Sequence, residues 1–184
     1  DELEEVLKRV REIIKRNEDH SDRVREKSRE SVKELEEHTE RVLRDVERLA
    51  RELEEMIDKT DDKRDLKRLV EEVRRRIKKL IEENRRLIEE VNRRNEELIK
   101  ENEKLNRESE ERIRELIEDL RRRRQDKKVD DVAREIEKLL KESNDKSREL
   151  VKEIKDLNKR LNEKSEEAVK RIEDLLRRIE ERVR

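Results

Sequence analysis

The feature of this sequence that most constrains its fold is the spacing of its apolar and small polar residues, which recur at alternating steps of three and four. Residues 3–56 contain 15 such steps over 53 residues, a mean spacing of about 3.5. Residues 66–120 and 129–183 each cover 54 residues in about 15 steps. This periodicity predicts three amphipathic helices. Spacings of about 3.5 to 3.6 predict nearly straight helices with at most a gentle left-handed supercoil.

The composition raises disorder as an alternative, because 60% of the residues are charged and 28% are hydrophobic. The regular spacing excludes it. The sequence therefore predicts an all-α fold with very long helices, of roughly 80 Å at the usual rise per residue. Their expected bounds are about residues 2–58, 62–123 and 128–183.

The segments between the helices define how the helices are connected. Residues 59–63 lack apolar residues and offer Thr or Asp as the N-cap of the second helix, and Asp126 is the expected N-cap of the third. Connections this short place consecutive helices antiparallel. The prediction is a single domain, residues 1–184, folded as an up-down-up antiparallel three-helix bundle or coiled coil.

Several functions are disfavoured by what the chain lacks. Its net charge of −1 gives no bulk attraction to nucleic acid or to anionic lipid. It has no apolar run long enough to span a membrane and no targeting signal, so we expect a soluble protein of unknown location. It has no cysteine, glycine-rich phosphate loop or nucleophile beside a base. We therefore expect no catalytic residues, no cofactor or metal, no small-molecule substrate and no apolar pocket. The arginine runs at 74–76 and 121–124 are interpreted as solvated helix faces.

The uncharged polar residues mostly fall on the inward stripe, and a register estimated from the connections groups them. It places residue i of the first helix beside residue 123−i of the second and residue 129+i of the third, with an error of about two to four residues. The resulting levels are Asn17 with Asn106 and Ser147; His20 and Ser21 with Asn102 and Ser147; Ser28 and Ser31 with Asn92, Asn95 and Asn158; His38 and Thr39 with Asn84, Ser165 and, nearby, Asn162; and Ser109 with Ser143.

The chemistry of these residues suits closed hydrogen-bond networks. Asn carries a donor amide and an acceptor oxygen, neutral His carries one of each, and hydroxyls rotate to fill the gaps. An unpaired buried polar group costs about 1–3 kcal/mol, so a misaligned bundle is penalised. We interpret the residues named above as a structural polar network that specifies helix register and pairing. Individual serines among them are alternatively small fillers between helices.

The two histidines are considered separately because histidine also serves as a metal ligand and a pH sensor. His20 and His38 are separated by 18 helical residues, or about 27 Å, which excludes a shared metal ion. A network role is the preferred interpretation. The alternative is a pH-responsive protein, in which buried neutral histidines stabilise the fold above their ordinary pKa and destabilise it as the pH falls.

With these layers identified, the whole chain resembles de novo designed helical bundles with buried hydrogen-bond networks, some of which use histidine as a pH trigger. The resemblance lies in the general construction and not in a sequence motif. It consists of a Glu/Lys/Arg surface, a Leu/Ile/Val core without aromatics, and Asn/Ser/His layers, and the glycine-free connections depart from it. The resemblance implies a structural scaffold without a natural substrate. The alternatives are a self-associating module, as a dimer of bundles or a domain-swapped homo-oligomer, and a natural spectrin-like or tropomyosin-like segment, which the lack of glycine and aromatics disfavours.

Overall fold

The computed structural model describes residues 1–184 and consists of three long α-helices packed against one another, without β-strands. The helices are α1 (Glu2–Lys59), α2 (Lys63–Arg123) and α3 (Lys127–Val183). The predicted all-α three-helix fold is confirmed. Each observed helix end lies within one residue of its expected position.

The two connections explain how the chain turns without glycine. Each is three residues long, and no residue of the chain has a positive φ, so neither connection requires the left-handed conformation that glycine favours. The backbone N–H of Arg64 donates to Asp62 Oδ1 at 3.0 Å, and that of Val129 donates to Asp126 Oδ1 at 3.1 Å. These aspartates cap α2 and α3, as the sequence predicts for Asp126.

Tertiary contacts divide the chain into two compact units, which are described separately. The first unit is formed by Asp1–Arg29 and Arg94–Asp156, and the second by Glu30–Arg93 and Leu157–Arg184. The prediction of a single domain over residues 1–184 stays a prediction.

In the first unit, the core takes residues from all three helices. Val10, Ile113 and Ile136 are fully buried in one cluster, and Leu150 and Ile154 are fully buried in another with Val24 and Ile99. Burial of each such side chain contributes about 1.5–3 kcal/mol. The helix directions follow from side-chain pairs. Pairs of α1 with α3, such as Arg11–Glu135, are 124 residues apart at both Arg11 and Arg29, so these helices are parallel.

The core of the second unit is built in the same way. One cluster centres on Val46, Ile77 and Ile172, and another joins Val32 and Leu161 to Ile88 and Val91 of α2. The separation of 124 residues between α1 and α3 recurs at the Glu36–Arg160 and Asp58–Arg182 pairs.

One residue of the predicted apolar stripe lies outside the core. Met56 is 48% exposed, whereas Leu53, one turn earlier, is buried. Met56 lies in the last turn of α1, where Ile57 instead packs against the second unit's larger cluster.

The register of α1 against α3 also differs from the predicted one. The sequence predicts residue 129+i of α3 beside residue i of α1, whereas the ion pairs join residues 124 or 128 apart. These separations differ from the predicted one by one to five residues. The predicted register places Leu120 beside Val132, and Val132 does pack against the cluster that contains Leu120. Val129, which is buried in that cluster, is the first core residue of α3.

The cap of α3 generates a pH-dependent prediction. The hydrogen bond from the Val129 backbone, together with the Arg124 side chain, holds the pKa of Asp126 below its ordinary value of 3.8. A carboxylate with a depressed pKa stabilises the fold above its unfolded pKa, and this contribution is lost as the pH falls through the folded pKa. We expect Asp126→Ala to lower Tm at neutral pH, and the difference from the parent chain to shrink in acid.

Circular dichroism melts between about pH 7 and pH 2 measure this difference. Asp61→Ala is the matched control, because Asp61 is an exposed connection carboxylate that makes no hydrogen bond. An Asp126→Ala effect that stays constant across this pH range would contradict the prediction.

Candidate functional site

The most connected polar layer of the first unit centres on Asn102, whose side chain is fully buried. Its Oδ1 accepts a hydrogen bond from Ser21 Oγ at 3.0 Å and lies 3.4 Å from His20 Nδ1. Its Nδ2 donates to Ser147 Oγ at 3.2 Å. One asparagine therefore joins α1 and α3 through α2, and both ends of its amide have partners.

The second unit repeats this arrangement around Asn84, which is 4% exposed. Asn84 Oδ1 lies 2.9 Å from His38 Nδ1 and 3.1 Å from Thr39 Oγ1. The Thr39 hydroxyl also lies 2.8 Å from the carbonyl oxygen of Leu35, so its one proton has two acceptors within reach. Ser165 is buried but makes no side-chain hydrogen bond. This layer thus links α1 to α2 and does not extend to α3.

The shared asparagine oxygen determines which nitrogen of each histidine carries the proton. An amide oxygen only accepts hydrogen bonds, so Nδ1 of His38 and of His20 must donate. The Nε2 atom of His20 points the other way and lies 3.6 Å from Glu101 Oε1. Both histidines are half-buried, with 19% of the His20 side chain exposed. The expectation of buried histidines is therefore too strong, because the imidazoles enter each layer from its edge.

Of the other predicted members, some pair within their estimated level and some pair outside it. Asn106 Nδ2 donates to Ser147 Oγ, and both residues belong to the level predicted around Asn17. Ser109 donates to Asn17 Oδ1 at 3.0 Å, whereas its predicted partner Ser143 makes no side-chain hydrogen bond. Asn162 is exposed, and it accepts a 2.8 Å hydrogen bond from Asn92 instead of joining His38.

The predicted level around Ser28 is the least satisfied. Ser28 is fully buried and its hydroxyl has no partner, and Asn92 Oδ1 is also buried without one. Ser31 is half-buried and makes no side-chain hydrogen bond. Asn95 and Asn158 each take part in a polar interaction. Ser28 therefore acts as a small filler, the alternative that the sequence leaves open for serines.

Ion pairs between α1 and α3 are a feature that sequence reasoning misses. In a chain with 55 basic and 56 acidic residues, many pairings are compatible with the sequence, and only the register selects among them. The sequence signal that could have predicted these ion pairs is the presence of opposite charges beside the apolar stripes of α1 and α3. The pairs are Arg11–Glu135, Glu18–Lys146, Arg25–Glu153, Arg29–Glu153, Glu36–Arg160, Glu36–Lys164, Glu40–Lys164, Glu47–Arg171 and Asp58–Arg182.

One of these partly buried pairs shifts the pKa of its carboxylate. Burial raises the pKa of Glu153, but hydrogen bonds from Arg29 at 2.6 Å and Arg25 at 2.9 Å outweigh it, so the pKa lies below its ordinary value. Lys164 in the same way lowers the pKa of Glu40 by donating a hydrogen bond. Individual surface pairs contribute only about 0–1 kcal/mol, so their role is to mark the α1–α3 register more than to stabilise it.

No group of three or more His, Cys, Asp or Glu side chains is arranged to hold a metal ion. No helix combines the length and apolarity needed to cross a membrane.

Comparisons with known proteins bear on the fold. No protein family matches the chain, and no curated protein matches it. Among solved structures it is similar to a computationally designed three-helix bundle, with a TM-score of 0.61 and 20% sequence identity. The match covers 99% of this chain and 95% of that one. At this identity the likeness concerns the fold alone.

The layer around Asn84 predicts the effect of removing one hydroxyl. Thr39→Val keeps the side-chain shape but removes a donor from the buried Asn84 oxygen, so we expect the free energy of unfolding to fall by about 1 kcal/mol. Guanidinium denaturation measures the change. Ser165→Ala is the control, because that buried hydroxyl makes no hydrogen bond, and an equal loss in both variants would argue against the layer.

Ser28 predicts a change of opposite sign. Its hydroxyl is buried and unpartnered, so Ser28→Ala removes a desolvated polar group and improves helix propensity. We expect the free energy of unfolding to rise by about 1 kcal/mol in the same denaturation experiment. A decrease comparable to that of Thr39→Val would show that Ser28 has a partner in solution.

Proposed function

We propose that this chain is a designed structural scaffold without a natural substrate, whose polar layers select how its helices pair. The observation that carries the proposal is a repeated module. A histidine followed by a hydroxyl residue on α1, His20-Ser21 and again His38-Thr39, shares one asparagine oxygen on α2. The two modules are separated by 18 residues on each helix, a spacing of five full helical turns.

The composition and the comparisons support the same proposal. The chain combines a charged surface and an aliphatic core with no glycine, proline or aromatic residue, which is far from average protein composition. It shares the fold of a computationally designed bundle, while no protein family matches it.

A catalytic role is not part of the proposal. Catalytic groups require pKa values matched to proton transfer, and such groups lie in clefts. The groups whose pKa is shifted here belong to surface ion pairs or to a helix cap, as at Glu40, Arg114, Arg123, Asp126 and Glu153. Structural interactions account for each of them.

Self-association is the first alternative. Specific interfaces contain a core of apolar and aromatic residues, whereas Met56 is the one large hydrophobic side chain that is exposed here. This favours a chain that satisfies its own polar layers.

pH-responsiveness is the second alternative, and the geometry of the histidines disfavours it. The Nδ1–H donor to the asparagine oxygen is present in the neutral and in the protonated ring. Protonation adds a proton at Nε2, which in His20 faces Glu101 and not the core. Acid therefore need not break either layer.

Light scattering over a concentration series tests the pairing role. We expect a mass of 22.9 kDa at every concentration. Replacing both layer amides, Asn84→Leu with Asn102→Leu, removes the penalty on wrong pairing, so we expect this variant to keep its helicity and to form larger species. Asn144→Leu is the matched control, because it adds the same side chain at a half-buried asparagine that makes no side-chain hydrogen bond.

Two results would contradict the proposal. A parent chain whose mass rises with concentration would favour self-association. A double variant that stays as monomeric as Asn144→Leu would show that the amides do not select the pairing.

A further inference from the structure

A cavity in the first unit is open to solvent and is lined by side chains from all three helices. Its volume is about 300 Å³, at the lower end of the range for ligand sites. Its inner wall is formed by Asn17, Ser21, Asn106, Ser143 and Ser147. Serines occupy inward positions on α1 and α3 where larger aliphatic residues fill the core elsewhere, and their small volume leaves the space open.

The inner wall carries hydrogen-bonding groups that the protein does not use. Ser147 Oγ accepts from both Asn102 and Asn106, which occupies its acceptor capacity and leaves its own proton to donate. Asn17 is 6% exposed and uses only its Oδ1, as the acceptor for Ser109, so its amide N–H groups have no protein partner. Asn106 Oδ1 and the Ser143 hydroxyl make no hydrogen bond within the protein either.

The charges around the opening select against anions. Lys146 Nζ lies 3.1 Å from Glu18, and Arg25 lies 3.0 Å from Asp22 and also binds Glu153. Because these cations are already paired, they offer little attraction to an anion. An apolar guest would leave the donors and the acceptor of the wall unsatisfied, at a cost of about 1–3 kcal/mol for each.

We infer that this cavity is a binding site for a small neutral molecule bearing a primary carboxamide. The carbonyl oxygen of such a molecule accepts from the Asn17 amide and the Ser147 hydroxyl, and its NH₂ group donates to Asn106 Oδ1. This site does not depend on the pairing role proposed above, since the guest binds only donors and acceptors that make no hydrogen bond within the polar layers.

Acetamide is the probe, and the readout is the side-chain NH₂ signals of Asn17 and Asn106 in ¹⁵N–¹H NMR spectra. We expect saturable shifts of both signals in the millimolar range. N,N-dimethylacetamide has the carbonyl but no N–H, so it is expected to bind at least several-fold more weakly. Equal binding of the two amides would overturn the hydrogen-bonding assignment.

Three variants complete the test. Ser143→Leu fills the cavity and is expected to abolish the saturable shifts. Ser147→Ala removes one donor to the guest, together with the acceptor of the Asn102 and Asn106 amides, and is expected to weaken binding at least roughly two- to tenfold, the equivalent of one hydrogen bond. Ser165→Ala, at a buried serine of the second unit, is expected to bind like the parent chain. Unsaturable shifts in the parent chain, or saturable shifts that persist in Ser143→Leu, would overturn the inference, and unfolding of that variant leaves the Ser147→Ala comparison to decide it.

Discussion

A buried asparagine oxygen needs donors, and this requirement organises the interface between α1 and α2. Asn84 and Asn102 lie where water is excluded, and an unmet acceptor there costs about 1–3 kcal/mol. Each oxygen is met from α1 by two neighbouring residues, a histidine and a hydroxyl residue. Aliphatic contacts between long helices tolerate many alignments, because a Leu or Val meets a similar surface one turn further along. The buried asparagines do not tolerate other alignments, because the groups that donate hydrogen bonds to them are within reach at one alignment only.

The other interface of α1 depends on a different interaction. Against α3, α1 presents charged residues whose partners lie 124 or 128 residues later in the chain. These contacts are exposed and individually weak, but like charges would meet in a wrong register. α1 is therefore aligned by buried amides on one side and by surface charges on the other. Ser147 takes part in both kinds of alignment. Its hydroxyl accepts a hydrogen bond from the Asn102 amide, and it lies on α3, the helix that the surface charges align.

The sequence was sufficient to predict the helices and the layers around Asn84 and Asn102, but not every hydrogen-bonded pair. The periodicity predicts the helix bounds to within one residue, and the relation 123−i places Ser21 beside Asn102 and Thr39 beside Asn84, which are hydrogen-bonded. Asn102 and Ser147, on α2 and α3, are hydrogen-bonded as their predicted level places them. Ser109 and Asn162 bond to Asn17 and Asn92 instead of Ser143 and His38, because a register known to within a few residues does not decide between neighbouring polar side chains. The cavity beside Ser147 depends on the volumes of side chains from three helices, and no single pattern in the sequence contains that information.

The hydrogen bonds from the histidines to the asparagine oxygens hold the layers together, and the tautomer of His38 tests them. Its Nδ1 lies 2.9 Å from Asn84 Oδ1, so neutral His38 must carry its proton on Nδ1, the nitrogen less often protonated in free histidine. ¹⁵N NMR of the imidazole nitrogens of the neutral ring distinguishes the two tautomers. We expect a protonated Nδ1 and an unprotonated Nε2, with loss of this preference in Asn84→Leu. A neutral His38 protonated on Nε2 in the parent chain would contradict the proposed role of the layers.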